Sequence, residues 1–241
     1  MPARIQHKRE RLDVAPADLL ARLPAMGRVM IGSENRGATH ERIGRIEKVR
    51  VADGWAIFEG AEHDSCIELA AIASLVADRS SIMREKSYPR LELKQSDGRT
   101  IANITGFEGL EPFDAVLAAF PQGAALDVEE RRAGGTDERR ELDEDDAGLR
   151  LLSAAARAGG HVRVEFSRPS FRQCWAGAMP AIKPAMGYVN IIQPDFHLHL
   201  KGGSVSGWRR EEADGVIRFH ALGLDGGETG LVVCGAACDF R

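Results

Sequence analysis

The chain lacks several features that would define its class at once. Its 241 residues include only four cysteines, too few for a disulfide scaffold, and these form no CxxC pair. No apolar run approaches the roughly 18–20 residues of a membrane-spanning helix, and the basic N-terminus has no apolar segment like that of a signal peptide. The formal net charge of -4 gives no overall attraction to nucleic acid or anionic membranes. A globular cytoplasmic protein with no nucleic-acid partner is therefore predicted.

Common catalytic motifs are also missing. There is no GxSxG and no HExxH sequence, and the glycines Gly32, Gly37 and Gly44 lack the spacing of a dinucleotide-binding fingerprint. Cys234 and Cys238, near the C-terminus, could belong to a metal site or be ordinary thiols.

A charged segment divides the chain. Residues 123–148 are rich in charge and small residues and have no apolar periodicity, which is typical of a solvated linker. An acidic docking tract for a partner is the alternative. We predict a first repeat at 1–122, a charged linker at 123–148 and a second repeat at 149–241.

The two halves show the same order of patterns. Each begins with a short amphipathic helix, followed by a strand and later by a hairpin that turns at Asp-Gly, at 91–104 and 219–233. The first half closes with a helix over 111–120. These patterns predict an α+β fold: a duplicated unit with two mostly antiparallel β-sheets and flanking helices. The segment 66–79 is predicted to be a strand through about Leu69 and a helix after it.

The most informative stretch is MGYVNIIQPDFHLHL, residues 186–200. After a Pro-Asp corner, Phe196, Leu198 and Leu200 alternate with His197 and His199, as in a half-buried strand whose polar face carries imidazoles. The segment EHDSCIEL at 62–69 is a weaker copy of this stretch. A strand face with two histidines can bind a ligand or a metal, or it can simply be solvated. Zinc chelation would need a third donor, and the sequence does not identify one.

This stretch, with Gly177, Lys183-Pro184 and Trp208 around it, resembles the second repeat of the haem-utilisation family of HemS and ChuS type. The segment GRVMIGSENRGATHERIG at 27–44 resembles the first repeat of that family. The resemblance implies a pair of large antiparallel sheets, a cytoplasmic location and haem as the ligand. The chain departs from the family pattern in four places: no histidine precedes His161 in the second repeat, Glu68 stands where an arginine is usual, Ala237 lies near another arginine position, and the helices before the first repeat are shortened.

Haem needs an apolar slot, a donor for iron and cations for its propionates. His199 occupies the family's histidine position and is the predicted iron ligand, with His197 beside it. His40, in ATHERIG, is either a further ligand or a residue that fixes a turn. Arginine and lysine suit carboxylates, so the predicted haem-binding set is completed by Lys183, Trp208, Arg209 and Arg210, with Arg36 as an additional option.

Three functions remain open at this point. The first is a haem-binding protein for uptake, storage or hand-off of imported haem, which could work with haem-import or haem-degrading proteins and could form a homodimer. The second is a hemin-degrading enzyme. The third is a diverged module on the same scaffold that binds another ligand or a protein, because a fold alone does not establish a function.

Overall fold

The computed structural model describes residues 7–128 and 142–240. Residues 129–141, the middle of the predicted linker, lie outside the described residues. Three α-helices are present among the described residues: α1 Pro16–Leu20, α2 Leu110–Leu117 and α3 Ala147–Ala158. The strands, in chain order, are β1 Arg9–Leu12, β2 Arg28–Asn35, β3 Ala38–Arg45, β4 Lys48–Ala52, β5 Trp55–Gly60, β6 His63–Glu68, β7 Ser74–Asp78, β8 Ile82–Met83, β9 Lys86–Ser87, β10 Arg90–Lys94, β11 Thr100–Gly106, β12 Ala124–Ala125, β13 His161–Arg168, β14 Phe171–Ala178, β15 Lys183–Ala185, β16 Tyr188–Ile192, β17 Phe196–Lys201, β18 Gly207–Ala213, β19 Val216–Leu222 and β20 Glu228–Ala236.

The described residues form two compact units. The first unit comprises residues 7–33 and 43–128, and the second comprises 34–42 and 142–240. The short segment 34–42 therefore belongs to the second unit, although it lies within the predicted first repeat. The predicted boundaries of the two repeats and the linker stay a prediction.

The first unit is built from antiparallel strands. One sheet has the order β12, β1, β7, β10, β11, β2, and β4, β5 and β6 form a separate meander in which each strand pairs with the next. Helix α2, which ends three residues before the end of the helix predicted over 111–120, buries Phe113, Val116 and Leu117.

The second unit contains two sets of antiparallel strands. One set has the order β18, β19, β20, β13, β14. The other has the order β3, β17, β16, β15, in which residues 38–42 of β3 pair with β17. Aromatic side chains fill the space between these sets: the ring of Phe196 on β17 stacks on that of Trp175 on β14, with centroids 4.7 Å apart.

Local sequence signals explain several of the element boundaries. The two predicted hairpins are confirmed as β10–β11 and β19–β20, and they turn at Gly98 and Gly226, whose φ angles of 82° and 76° suit glycine. Helix α3 begins where the side chain of Asp146 accepts a hydrogen bond from the backbone N–H of Leu149, at 2.9 Å. It ends at Gly159 in the left-handed conformation.

The helix predicted for the second part of 66–79 is wrong. A strand, β6, does run to Glu68, but only a single 3₁₀ turn follows at Leu69–Ala71, and Ser74–Asp78 forms the strand β7. This strand pairs with β1 on one side and β10 on the other. The strand is hydrogen-bonded along both edges and buries Leu75, Val76 and Ala77, which outweighs the weak helical propensity of the segment.

The predicted fold class is confirmed: the protein is an α+β protein of mostly antiparallel sheets with few helices. Among the described helices, none combines the length and the apolar character that a bilayer crossing requires.

Candidate functional site

Strand β17 presents its two histidines on the outer face of a sheet. Phe196, Leu198 and Leu200 are buried, whereas the side chains of His197 and His199 keep 25% and 31% of their surface exposed. The alternation predicted from the sequence is therefore confirmed. The Pro-Asp corner before the strand is held by the indole N–H of Trp175, which donates to Asp195 at 3.1 Å.

A third side chain, Glu41 on β3, lies between the two histidines. The strand register puts Glu41 directly opposite His197. Its Oε2 atom is 3.1 Å from Nδ1 of His197 and 3.7 Å from Nε2 of His199. The sequence analysis did not identify this residue, although it is the neighbour of His40 in the ATHERIG motif.

The two histidines determine the charge of Glu41. Burial alone would raise the pKa of this carboxyl group, but the hydrogen bonds and charges of His197 and His199 outweigh burial and lower the pKa to about 2. Glu41 is thus a carboxylate throughout the physiological pH range, and it lies between two imidazole rings.

Asn190 fixes the orientation of His199. Its Oδ1 atom is 2.6 Å from Nδ1 of His199, and its amide nitrogen donates to the backbone carbonyls of Lys183, Ala185 and Tyr188. The amide nitrogen donates to these carbonyls, so the atom next to His199 is the amide oxygen, which can only accept a hydrogen bond. Nδ1 of His199 therefore carries a proton and donates it to Oδ1 of Asn190. The lone pair of the neutral ring then lies on Nε2, the nitrogen that faces Glu41.

The same sheet face continues across β16 and β15. Residues directly opposite each other on antiparallel strands point to the same side, which places Lys183 beside Asn190, and Ile192 beside His197. Tyr188 and Lys201 form the next pair on this face. Ile192 and Tyr188 are 45% and 37% exposed. The face therefore combines imidazole, apolar and aromatic groups with two lysines.

His40 does not join this face, because the pleat of β3 turns it to the opposite side from Glu41. The ring is fully buried between Phe166 and Phe196, and its Nδ1 lies 2.8 Å from Oε1 of Gln173. Burial lowers the pKa of His40 to about 4, against the opposing effect of the hydrogen bond to Gln173. His40 is a core residue held by a hydrogen bond, and the partner is a side chain on another strand.

Trp208, Arg209 and Arg210 also lie elsewhere, on strand β18. The indole N–H of Trp208 donates to the carbonyl of Ala147 at 2.9 Å. The guanidinium of Arg209 is paired with Glu228 at 2.6 Å and with Glu211 at 3.1 Å, and Arg210 is paired with Glu212. Successive residues of a strand point to opposite faces, so Arg209 points away from the side that Trp208 and Arg210 share. The structure brings together His197, His199 and Lys183, but not these three residues.

Three further candidate residues from the sequence, Arg36, Cys234 and Cys238, do not lie among the β17 histidines. Arg36 is ion-paired with Asp225. Cys234 is buried and burial raises its thiol pKa, while Cys238 is exposed. Within residues 7–128 and 142–240, only Glu41, His197 and His199 form a group of three or more histidine, cysteine or acidic side chains with ligand atoms close enough to hold a metal ion.

Fold and site together define a class: an antiparallel α+β protein with a histidine–carboxylate cluster on an open sheet face. Residues 1–108 match the family model described as the haemin-degrading HemS.ChuX domain. The first part of the chain is therefore similar to HemS/ChuX-type domains, and the resemblance predicted from the sequence motifs is confirmed. No curated protein matches the chain by sequence.

Solved structures extend the similarity to nearly the whole chain. The structure of ChuS from Escherichia coli, described as a heme oxygenase, superposes with a TM-score of 0.73 at 18% identity over 95% of this chain and 83% of ChuS. Holo-PhuS from Pseudomonas aeruginosa, described as a heme-binding protein, gives a TM-score of 0.74 at 19% identity over 95% of this chain and 82% of PhuS. At such low identity the similarity establishes the fold alone.

Proposed function

We propose that this protein binds haem and acts in haem or iron utilisation. The observation that carries the proposal is the HemS/ChuX-type match of residues 1–108, on a chain whose fold resembles that of ChuS and PhuS. The names of those proteins refer to haem binding and haem degradation. Haem is therefore the ligand that we propose, rather than another flat apolar molecule.

The residues of the β17 face suit the chemistry of haem. Iron needs a nitrogen donor with an available lone pair, and Nε2 of His199 is such a donor because Asn190 holds the proton on Nδ1. The porphyrin needs apolar and aromatic contacts, which Ile192 and Tyr188 provide, and the propionates need cations, which Lys183 and Lys201 provide. We therefore assign His199 as the iron ligand, with His197 and Lys183 beside it. When bound, haem would supply the redox chemistry, while the protein positions it and limits its exposure.

Hemin titration tests this proposal directly. We expect the absorbance spectrum of hemin to acquire a protein-specific Soret band that saturates near one equivalent. His199→Gln should weaken binding at least about tenfold, because loss of only the hydrogen-bond partner of a metal ligand already costs about 10- to 100-fold in affinity. His220→Gln is the matched control, because His220 lies on β19 beside Glu211 and Glu228 and away from the β17 face.

The possible results separate the two parts of the proposal. A spectrum of free hemin at all protein concentrations would exclude haem binding. A saturable Soret band that is unchanged in His199→Gln would keep haem binding but remove His199 as the iron ligand.

Haem degradation is a second candidate, favoured by the description of the matching family as haemin-degrading. It is tested by adding a reductant to the haem complex in air. Loss of the Soret band with appearance of a bile-pigment spectrum would support turnover, and a stable Soret band would show binding alone.

We further propose that the protein works in the cytoplasm, where it receives imported haem or passes it to other haem-handling proteins. A homodimer is part of this proposal. Light scattering with and without hemin tests it: a mass near 26.2 kDa in both states would show a monomer.

A further inference from the structure

The β17 face holds three metal-ligand side chains in a compact group. Glu41 from β3 and His197 and His199 from β17 each offer one ligand atom, and these atoms all lie within 4.8 Å of one another. In a tetrahedral site with bonds of about 2.0–2.1 Å, ligand atoms are separated by roughly 3.3 Å. The observed separations of 3.1 and 3.7 Å from Oε2 of Glu41 to the two imidazole nitrogens are close to this value.

The hydrogen bonds around His199 add a second argument. Asn190 holds the proton of the neutral ring on Nδ1, so Nε2 presents a lone pair to Oε2 of Glu41, at 3.7 Å. In this tautomer Nε2 cannot donate a hydrogen bond to Glu41, whereas a metal ion could bind both the nitrogen and the carboxylate oxygen. A metal-binding histidine whose other nitrogen donates to a fixed acceptor is also the common arrangement in metalloproteins.

We propose that Glu41, His197 and His199 bind a divalent transition-metal ion. Two imidazoles and one carboxylate suit Zn²⁺, Fe²⁺ or Co²⁺, whereas Ca²⁺ and Mg²⁺ prefer oxygen ligands throughout. Three protein ligands leave at least one coordination position open for water or a small ligand. The site requires no porphyrin and does not depend on haem binding. The metal ion and the haem iron would both bind to Nε2 of His199. A metal ion at this site and a haem held by His199 therefore exclude each other.

A second histidine–glutamate group in the same unit provides a matched comparison. Nε2 of His220 lies 3.3 Å from Glu211, and its Nδ1 lies 3.6 Å from Glu228. Both carboxylates are already neutralised by Arg209. This group has only one imidazole, so we expect no specific metal binding there.

Calorimetric titration of the metal-free protein with Zn²⁺ tests the inference, at neutral pH and without hemin. We expect one equivalent to bind with a dissociation constant of about 1 µM or lower. Glu41→Gln and His199→Gln should each weaken binding at least tenfold, whereas His220→Gln should stay within twofold of the unaltered protein. Glu41→Gln retains the shape of the side chain, so circular dichroism should show an unchanged fold.

Two further measurements make the result decisive. Co²⁺ should give visible absorption bands typical of four- or five-coordination, and these bands should be lost in His199→Gln. Zn²⁺ should raise the melting temperature of the unaltered protein and not that of Glu41→Gln. Absence of one-equivalent binding, or equal binding by all variants, would overturn the proposal. Because no step uses hemin, failure here leaves the haem proposal standing, and failure of the hemin titration leaves this one standing.

Discussion

Asn190 connects the backbone of the β15–β16 hairpin to the chemistry of the β17 face. Its side chain makes hydrogen bonds to three backbone carbonyls and to His199, and the residue is only 8% exposed. Such a residue acts on a ligand through the group that it positions, because it fixes the ring and the site of the proton.

We therefore predict that Asn190→Ala weakens Zn²⁺ and hemin binding by about 10- to 100-fold, the range found for partners of metal-binding histidines. Calorimetry and Soret titration measure the two effects. Asn103→Ala, in strand β11 of the first unit, is the control and should change neither. Unchanged affinities in Asn190→Ala would mean that His199 needs no positioning.

The buried ring of His40 should make the stability of the protein depend on pH. Its pKa is lowered from 6.5 to about 4 in the folded protein, so between these values the unfolded chain binds a proton that the folded protein does not. The contribution of neutral His40 to the free energy of unfolding is fully present above about pH 6.5 and decreases as the pH falls toward 4. Between pH 7.5 and pH 5 this residue alone should reduce the free energy of unfolding by about 2 kcal/mol.

Urea denaturation at several pH values, with EDTA present, measures this dependence. His40→Gln is less stable at neutral pH but lacks the titrating group, so its free energy of unfolding should decrease less between pH 7.5 and pH 5. An equal decrease in both proteins would assign the acid sensitivity to other residues.

At the scale of single elements, local patterns predicted what depends on neighbours in the chain. The period-two pattern identified β17 and its exposed imidazoles, and the Asp-Gly pairs identified two hairpins. The segment 66–79 was misjudged because its strand β7 exists through pairing with β1 and β10, which no local signal reveals.

The same limit explains the missed residue of the site. Glu41 lies more than 150 positions before His197, and only the register of β3 on β17 brings them together. The family motif drew attention to His40, one residue away, but a shift of one residue in a strand reverses the face. Trp208, Arg209 and Arg210 were grouped because they are consecutive, and consecutive strand residues alternate between faces.

The N-cap of helix α3, Asp146, should contribute to the stability of the protein. Asp146 caps the N-terminus of this helix through the N–H of Leu149 and also accepts from the N–H of Gly203, at 2.8 Å. Asp146→Ala should lower the free energy of unfolding by about 1 kcal/mol, the typical cost of losing an N-cap. Glu144→Ala, at an exposed position just before the helix, is the control. Chemical denaturation measures both, and equal stabilities would show that the cap contributes nothing.

At the scale of the whole molecule, the second unit is not continuous in sequence. Its strand segment 38–42 supplies Glu41 to the outer face of β17, and His40 and Arg42 to the inner face. Arg42 donates to the carbonyl of Cys174 at 2.9 Å, and the ring of His40 lies 4.8 Å from that of Phe196. Both the core and the candidate site of this unit therefore depend on residues that precede the charged segment.

This dependence predicts the behaviour of a fragment comprising residues 142–241. Without residues 38–42, β17 would lose β3, one of its two partner strands, and part of the buried face around Phe196 and Leu198 would be exposed, at a cost of several kcal/mol. The full chain should unfold cooperatively in urea, whereas the fragment should show no cooperative transition and no Zn²⁺ binding. A monomeric fragment that unfolds cooperatively would show that the second repeat, as predicted from the sequence, folds without the strand that precedes the charged segment.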